Sequence, residues 1–286
     1  MKLSKILSPV DFSELSAEAV CYAKALTCRF HSELTIAHVF ETRNLMFSGE
    51  TGMASEWYED ARRASQRLLD AYCDDKFKDM AVRRLLLDGD VASTIVELAH
   101  KERMDLIVIP THGYGGFRRF LLGSVTAKIL HDADCPVLTG THLQNVPPLQ
   151  PVFFRNIVCA VDFDSAGEKA LRWAGAFAAE FQSRLTVVHA LPPSDVGQAR
   201  YFDQTLSAML RNLAEERMNE LQSRVGIATE VALSHGRVAD VVRDAGTSQK
   251  ADLIVIGRHE NPGLIGRLRG NAYAIVRESP CPVVSV

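Results

Sequence analysis

One glycine-containing segment has the residue types and the spacing of a phosphate-binding loop. It begins at Ile109-Pro110-Thr111-His112-Gly113 and, after nine further residues, reaches Gly123-Ser124, where a helix is predicted to begin. Glycine lets backbone amides approach an anion, and free amides at a helix N-terminus attract phosphate. The Ser124 hydroxyl can donate to a phosphate oxygen. Without a ligand the same residues would form an ordinary helix N-cap, so both interpretations stay open.

The spacing excludes two familiar nucleotide motifs. A Walker A loop needs Gly-Lys-Ser or Gly-Lys-Thr, and neither occurs in the chain. The dinucleotide motif Gly-x-Gly-x-x-Gly follows the first strand of its fold, whereas this segment follows the fourth predicted strand.

A carboxylate stands at the end of the first predicted strand, in the sequence Pro9-Val10-Asp11-Phe12-Ser13. A carboxylate at that place can accept hydrogen bonds from an adenine amino group or from ribose hydroxyls. It can equally cap the helix that follows.

The elements that would position these residues occur twice. Four segments return in the second half in the same order, with an offset that drifts only from 151 to 146 residues. The pairs are ILSPVDFS 6–13 with IVCAVDFD 157–164, LTIAHV 34–39 with LTVVHA 185–190, DLIVI 105–109 with 252–256, and CPVL 135–138 with CPVV 281–284. The chain is therefore predicted to be a tandem duplication, with domains at 1–140 and 153–286 and a proline-containing linker at 141–152.

Each half alternates short apolar runs with helical stretches. In the first half, strands are predicted at 5–10, 34–39, 82–87, 105–110 and 136–139, and helices at about 14–30, 55–73, 91–102 and 124–132. In the second half, Ser165-x-x-Glu168 predicts a capping box at the first helix. Alternation of this kind predicts an α/β fold: two tandem doubly wound domains, each with a five-stranded parallel sheet. Such sheets bind ligands beyond the carboxyl ends of their strands.

Composition limits the class of protein. The chain has 286 residues, is 47% hydrophobic and carries a formal net charge of −3, which suits two packed domains and gives no sign of a nucleic-acid binder. No apolar run reaches the ~18–20 residues of a membrane span. The first five residues lead into a predicted strand without signal-peptide anatomy, so a soluble, cytoplasmic protein is expected.

The cysteine spacing argues against a metal site or a disulfide framework. None of the six cysteines forms a Cys-x-x-Cys pair, whereas zinc sites normally have close paired ligands. Reduced and mostly buried thiols are expected, and no metal ligand is assigned.

Taken together, these motifs resemble the universal stress protein family. The shared features are the strand ending in Pro-x-Asp-Phe-Ser, the strand ending in His-Val, the motif Gly-x-x-Gly-x9-Gly-Ser/Thr after the fourth strand, and the final Cys-Pro-Val strand. The resemblance covers nearly the whole chain twice, as in tandem members, and implies a Rossmann-like fold of the nucleotide alpha-hydrolase type. The glycine motif is the signature of the family's ATP-binding branch. Three of its four positions match in the first half, and Pro110 replaces the first glycine.

The resemblance implies a nucleotide site in the first domain. It assigns adenine and ribose contacts to Pro9, Val10, Asp11, Val39 and Ile109. It assigns ribose and phosphate contacts to His112, Gly113, Gly123, Ser124, Val125 and Thr126. The implied ligand is ATP, or ADP or AMP, with Mg²⁺ held through the phosphates. Because proline has no amide hydrogen, any contact that needs this donor at Pro110 is lost.

The second half departs further from the motif. Glu260 stands at the second glycine position, Ala160 replaces Pro9 and Asn271 replaces Ser124. A glutamate beside a triphosphate adds repulsion of about 4 kcal/mol at ~4 Å and a surface-like dielectric. We therefore predict that the second domain binds ATP poorly, while a smaller ligand such as adenosine stays open.

These features favour a binding module, in which an adenine nucleotide in the first domain sets a stress-response or signalling state. A slow ATPase is the first alternative, although no residue stands out as a general base and no catalytic residue is assigned. A ligand-free structural or interaction protein is the second.

Assembly is implied by the resemblance alone. Family members pair their last strands, here near 137–139 and 283–286, which a tandem chain can do internally as a pseudo-dimer. Homodimerisation and the identity of a protein partner stay open.

Overall fold

The computed structural model describes residues 1–41, 53–112, 122–140, 154–193, 200–258 and 267–286. It divides into two compact units, Lys2–Val152 and Phe153–Val286, which we call the first and second domains. The predicted linker 141–152 lies outside the described residues.

The first domain alternates strands and helices as predicted. Its elements are β1 (Lys5–Pro9), α1 (Glu14–Phe30), β2 (Glu33–Phe40), α2 (Met53–Ala71), β3 (Val82–Asp88), α3 (Val91–Glu102), β4 (Leu106–Val108), α4 (Ser124–Asp132) and β5 (Val137–Thr139). All pairings between neighbouring strands are parallel, in the order β3-β2-β1-β4-β5. The strand order reverses between β1 and β4, which makes this the switch point of the sheet.

The second domain repeats the same topology. Its elements are β6 (Asn156–Ala160), α5 (Ser165–Phe181), β7 (Arg184–Leu191), α6 (Arg200–Val225), β8 (Glu230–His235), α7 (Val238–Ser248), β9 (Leu253–Ile256), α8 (Arg267–Glu278) and β10 (Val283–Ser285). Its strands are also parallel, in the order β8-β7-β6-β9-β10. The predicted doubly wound α/β fold with five-stranded parallel sheets is confirmed in both domains.

The central strands form the core of each domain. Ile6, Leu7 and Val108 in the first domain, like Ile157 and Val255 in the second, have no exposed surface. Helices cover both faces of a doubly wound sheet, so both sides of these strands are buried and apolar residues follow one another without alternation. This explains why the strands could be recognised from continuous apolar runs.

An aspartate before the fourth strand ties each sheet together. The Asp105 carboxylate accepts hydrogen bonds from the amides of Ser4 and Lys5 at 2.6 and 2.9 Å. Asp252 does the same for the amides of Arg155 and Asn156, at 2.7 and 3.0 Å. The repeated Asp-Leu-Ile-Val-Ile sequence therefore fixes the register between the first and fourth strands of each domain.

Helix α5 begins one residue earlier than the sequence suggested. The N-cap is Asp164, whose carboxylate accepts from the Gly167 amide at 2.9 Å, so the predicted capping box of Ser165 and Glu168 is wrong. The Glu168 carboxylate instead lies 2.8 Å from the Arg172 guanidinium. Asp164 occupies the position of Ser13, which caps α1 through its hydroxyl.

All six cysteines are free thiols, and no group of three candidate metal ligands occurs among the described residues. The expectation that most thiols are buried is only partly right. Cys159 and Cys281 are buried, Cys28 is exposed, and the other three lie between these limits.

Candidate functional site

The predicted site residues gather at the carboxyl ends of β1, β2 and β4, where α4 begins. Pro9, Val10, Val39, Ile109 and Thr126 are buried. Asp11, His112, Gly123 and Val125 are partly buried, and Ser124 is exposed. The fold therefore brings these ten residues to one edge of the sheet, at the switch point. Gly113, the eleventh, lies outside the described residues.

The end of β1 is held against β2 by a histidine that the prediction did not include. The Val10 amide donates to the Ala37 carbonyl at 2.9 Å, and Nδ1 of His38 lies 2.8 Å from the Val10 carbonyl oxygen. The Phe12 ring packs on the His38 imidazole, with centroids 4.2 Å apart, and Phe12 has a positive φ of 65°. The chain thus turns sharply after Val10. The His-Val sequence at the end of β2 was the available signal for this contact.

The Asp11 carboxylate organises the turn that leads into α1. One oxygen, Oδ1, accepts from the Ser13 amide at 3.1 Å and from the Ser13 hydroxyl at 2.5 Å. The Ser13 hydroxyl oxygen in turn accepts from the Ser16 amide at 3.2 Å. Ser13 therefore caps α1, so Asp11 is not the helix cap that the sequence allowed but orients the cap residue.

A partly buried tyrosine just after α2 contacts the same turn. The Tyr72 hydroxyl donates to the Ser13 carbonyl oxygen at 3.0 Å and lies 2.8 Å from Oγ of Ser16. Burial raises the pKa of Tyr72 well above its ordinary value, so the phenol remains neutral and keeps its donor hydrogen.

The end of β4 and the start of α4 form a backbone clamp. The Gly123 amide donates to the Thr111 carbonyl at 2.7 Å, and the Thr126 hydroxyl donates to the Pro110 carbonyl at 2.9 Å. A Cβ on Gly123 would lie 3.3 Å from the Thr111 oxygen and 3.4 Å from Cα of His112, so glycine suits this close approach. Since Gly123 has no side chain, it offers no cap to the first amides of α4. The clamp thus seats His112 beside the N-terminus of the helix.

Pro110 fits its place because the clamp uses its carbonyl group. In the second domain the equivalent residue is Gly257, and a Cβ there would lie only 2.5 Å from the Ala166 carbonyl oxygen. Gly167 shows the same crowding, because a Cβ at this position would lie 1.9 Å from the backbone carbonyl oxygen of Asp162. The first turn of α5 therefore approaches the strand ends more closely than a side chain at either position would allow.

An open cleft lies at the equivalent edge of the second domain. It encloses about 560 Å³ when its mouth is included. Seven of its lining residues are the repeat counterparts of Pro9, Val10, Asp11, Val39, Ile109, Ser124 and Val125: Ala160, Val161, Asp162, Ala190, Ile256, Asn271 and Ala272. The walls are mostly small and apolar, with Asp162 and Asp164 as the carboxylates.

Lys128, on α4 of the first domain, is already paired with Asp90 and Ser93. Nζ of Lys128 lies 3.0 Å from Oδ1 of Asp90 and 2.7 Å from Oγ of Ser93. Hydrogen bonds from the Ser93 hydroxyl and amide, followed by the contact with Lys128, hold the pKa of Asp90 well below its usual range. The negative charge of Asp90 therefore balances the positive charge of Lys128 at neutral pH.

Comparison with known proteins agrees with this architecture. The model of the universal stress protein family matches residues 2–139 and again residues 153–286. The chain belongs to the universal stress protein family. No helix among the described residues is long and apolar enough to cross a membrane.

Relatives match either one domain or the whole tandem chain. Universal stress protein MJ0531 of Methanocaldococcus jannaschii is 32% identical over 143 residues, which is 47% of this chain and 79% of that protein. Universal stress protein Rv2005c of Mycobacterium tuberculosis is 26% identical over 286 residues, covering 96% of this chain and 94% of that protein. A universal stress protein from Archaeoglobus fulgidus, 20% identical, has a TM-score of 0.64 and covers 99% of this chain and 96% of its own. The tandem organisation is thus shared along the full length.

Proposed function

We propose that this universal stress protein binds ATP or a related adenine nucleotide in its first domain and acts as a binding module in stress signalling. The observation that carries the proposal is the meeting of three features at the switch point: the ends of β1 and β4 and the uncapped start of α4. Doubly wound sheets bind ligands at this point. The family's glycine motif, which marks its ATP-binding branch, falls on the same segment.

Each part of the nucleotide has a chemically matched group. Buried Val10, Val39 and Ile109 offer an apolar surface for adenine, and the Asp11 carboxylate accepts from ribose hydroxyls. Backbone amides of Ser124 and Val125, together with the Ser124 hydroxyl, suit phosphate oxygens because the helix N-terminus is positive. Mg²⁺ would be held through the phosphates. His112, beside the helix start, completes this set.

The second domain has the same shape but a poorer set of groups for phosphate. Its cleft offers small apolar walls and two carboxylates, and Asn271 replaces Ser124 at the helix. Glu260, the predicted source of repulsion, lies outside the described residues. We infer that ATP prefers the first domain.

The direct test is nucleotide release followed by titration. Heat denaturation of the purified full chain should release an adenine nucleotide, and the emptied protein should rebind ATP with a stoichiometry of one. Absence of both released nucleotide and binding at millimolar ATP would favour the ligand-free alternative. Measurement of phosphate release in the presence of Mg²⁺ distinguishes binding from hydrolysis. Release at the ~1–10³ s⁻¹ of typical enzymes would favour the ATPase alternative.

Paired substitutions locate the site, because the duplication supplies its own control. Asp11→Asn should weaken ATP binding by about tenfold, since a charged hydrogen bond contributes ~1.5–3 kcal/mol. Asp162→Asn makes the same change at the equivalent position of the second domain and should leave ATP affinity unchanged. Gly113→Glu, which copies Glu260, should abolish binding. Equal effects of Asp11→Asn and Asp162→Asn would contradict assignment to the first domain.

A further inference from the structure

A serine and a histidine of the second domain form a close pair that the proposed nucleotide site does not use. Ser207 lies on α6, and His235 is the last residue of β8. Oγ of Ser207 is 2.8 Å from Nε2 of His235. The two residues are 28 positions apart, so the fold rather than local sequence brings them together.

The second ring nitrogen of His235 decides which way this hydrogen bond runs. Nδ1 lies 2.8 Å from the carbonyl oxygen of Pro192. A carbonyl oxygen can only accept, so Nδ1 carries the hydrogen and donates it. In a neutral imidazole Nε2 is then unprotonated, and the Ser207 hydroxyl donates to it. This is the arrangement of a nucleophile, a general base and a group that orients the base.

We propose that Ser207 is a nucleophile activated by His235 and that it takes an acyl group from an activated ester. Oγ attacks the carbonyl carbon and forms a new C–O bond, while the hydroxyl proton passes to Nε2 of His235. The bond between the acyl carbon and the leaving oxygen breaks, and its electron pair departs with the alkoxide or aryl oxide. The product is an acyl ester on Ser207.

An arginine on α6 and two cleft-lining residues lie near the pair in the sequence. Arg211, one helical turn beyond Ser207 on the same side of α6, donates to the Leu233 carbonyl at 3.0 Å and lies 3.8 Å from the Glu215 carboxylate. Two residues that line the cleft of the second domain lie close to this pair along the sequence. Ala190, which lines it, is two residues before Pro192, and Val238, which also lines it, is three residues after His235.

The equivalent positions of the first domain hold no such pair. Tyr58 replaces Ser207 and Asp88 replaces His235, and the tyrosine hydroxyl donates to the Asp88 carboxylate at 2.8 Å. Arg62, in place of Arg211, also pairs with Asp88, at 3.2 Å. The hydrogen bond to Asp88 raises the pKa of Tyr58, which makes this phenol harder to ionise. Both domains therefore tether helix to strand here, but among the described residues the pairing of an aliphatic hydroxyl with an imidazole occurs at this position in the second domain alone.

The experiment treats the full chain with p-nitrophenyl acetate. We expect a burst of about one p-nitrophenolate per chain and an acetyl group that peptide mass spectrometry locates on Ser207. Ser207→Ala should lose both signals, whereas Ser223→Ala, at an exposed serine of the same helix, should retain them. Acetylation that is absent, that falls only on lysines, or that is unchanged in Ser207→Ala would overturn the proposal.

Removal of the base separates activation from a merely structural tether. His235→Ala should slow acetylation of Ser207 about 100-fold, within the usual range for general base catalysis, and added imidazole should restore much of the rate. Circular dichroism of this variant verifies that the fold is kept. If this variant has lost its fold, the pH–rate profile of acetylation is measured for the native chain and for Pro193→Ala, which leaves the Pro192 carbonyl and both partners in place. In both proteins the acetylation rate must rise as His235 loses its proton, which NMR measures independently. An imidazole-insensitive rate, or a rate independent of His235 ionisation, would contradict the proposed role.

Discussion

The two domains arrive at one fold through different packing at the start of their first helices. In the first domain Ser16 carries a side chain whose hydroxyl bonds to the Ser13 carbonyl, with Tyr72 braced against it. In the second domain the same position is Gly167, and the helix start lies so near Asp162 that a Cβ has no space. One copy therefore has a polar contact at this helix start, whereas in the other the helix backbone lies directly against the strand end. The two copies therefore differ at the edge of the sheet where the candidate site lies.

Exchange of these two residues should give the largest effect. Gly167→Ser places a side chain against the Asp162 carbonyl and should reduce the free energy of unfolding of the second domain by about 3 kcal/mol or more. The reciprocal Ser16→Gly change should cost the first domain only about 1–2 kcal/mol, through lower helix propensity and the loss of the Ser16 hydrogen bonds.

The chain's two tryptophans allow each domain to be followed separately. Trp57 lies in the first domain and Trp173 in the second. In a Trp57→Phe background, urea unfolding monitored by fluorescence reports on the second domain, and Trp173→Phe gives the converse reporter. Equal losses for the two exchanges would show that the copies pack alike and would break the comparison.

A contact that both copies retained should give matched, intermediate effects. His189 repeats the contacts of His38, with Nδ1 2.8 Å from the Val161 carbonyl oxygen and the Phe163 ring 4.3 Å away. His38→Ala and His189→Ala should each cost about 1–3 kcal/mol, because each leaves a carbonyl unpaired. Isothermal titration should then show that only His38→Ala weakens ATP binding. An equal loss of ATP affinity in both variants would place nucleotide in both domains.

The smallest effect concerns a helix cap that the copies do not share. Asp90 caps α3, whereas Arg237, at the equivalent position before α7, makes no side-chain cap. Because the folded-state pKa of Asp90 is lowered, its contribution to stability is present above the unfolded value and is lost as pH falls through the folded one. Asp90→Ala should therefore lower the thermal midpoint of the first domain slightly at pH 7, and this difference should vanish in strong acid. A difference that persists unchanged in acid would contradict this role.

Sequence reasoning recovered the fold because its signals are local and repeated. Continuous apolar runs, such as Leu106–Val108, indicate buried parallel strands wherever they occur. Helix α1 was predicted at 14–30, where it lies. The cap of α5 was misassigned because Asp164 and Ser165 are both good cap residues, and backbone geometry chose between them.

The candidate site could be located but not built from sequence. The repeat and the glycine motif predicted that Asp11 and Gly123 lie at one edge of the sheet. The hydrogen bond from the Gly123 amide to the Thr111 carbonyl could not be predicted, because it depends on the path of the chain between them. The crowding at Gly167 is equally invisible, because it arises from how deeply a helix is seated. Ser207 and His235 belong to no motif, so only the fold reveals them as a pair.

The bonds that Asp105 makes to Ser4 and Lys5 also set an order of events during synthesis. They span 101 and 100 residues, and β1 lies between β2 and β4 in the sheet. The first strand to leave the ribosome therefore waits for most of its domain before its second neighbour can join it, and contacts of such long range slow folding. Until β4 arrives, one edge of β1 is available to other strands. A close copy of the missing partner, β9, is made later in the same chain, so prompt closure by β4 protects the nascent protein from pairing its halves wrongly.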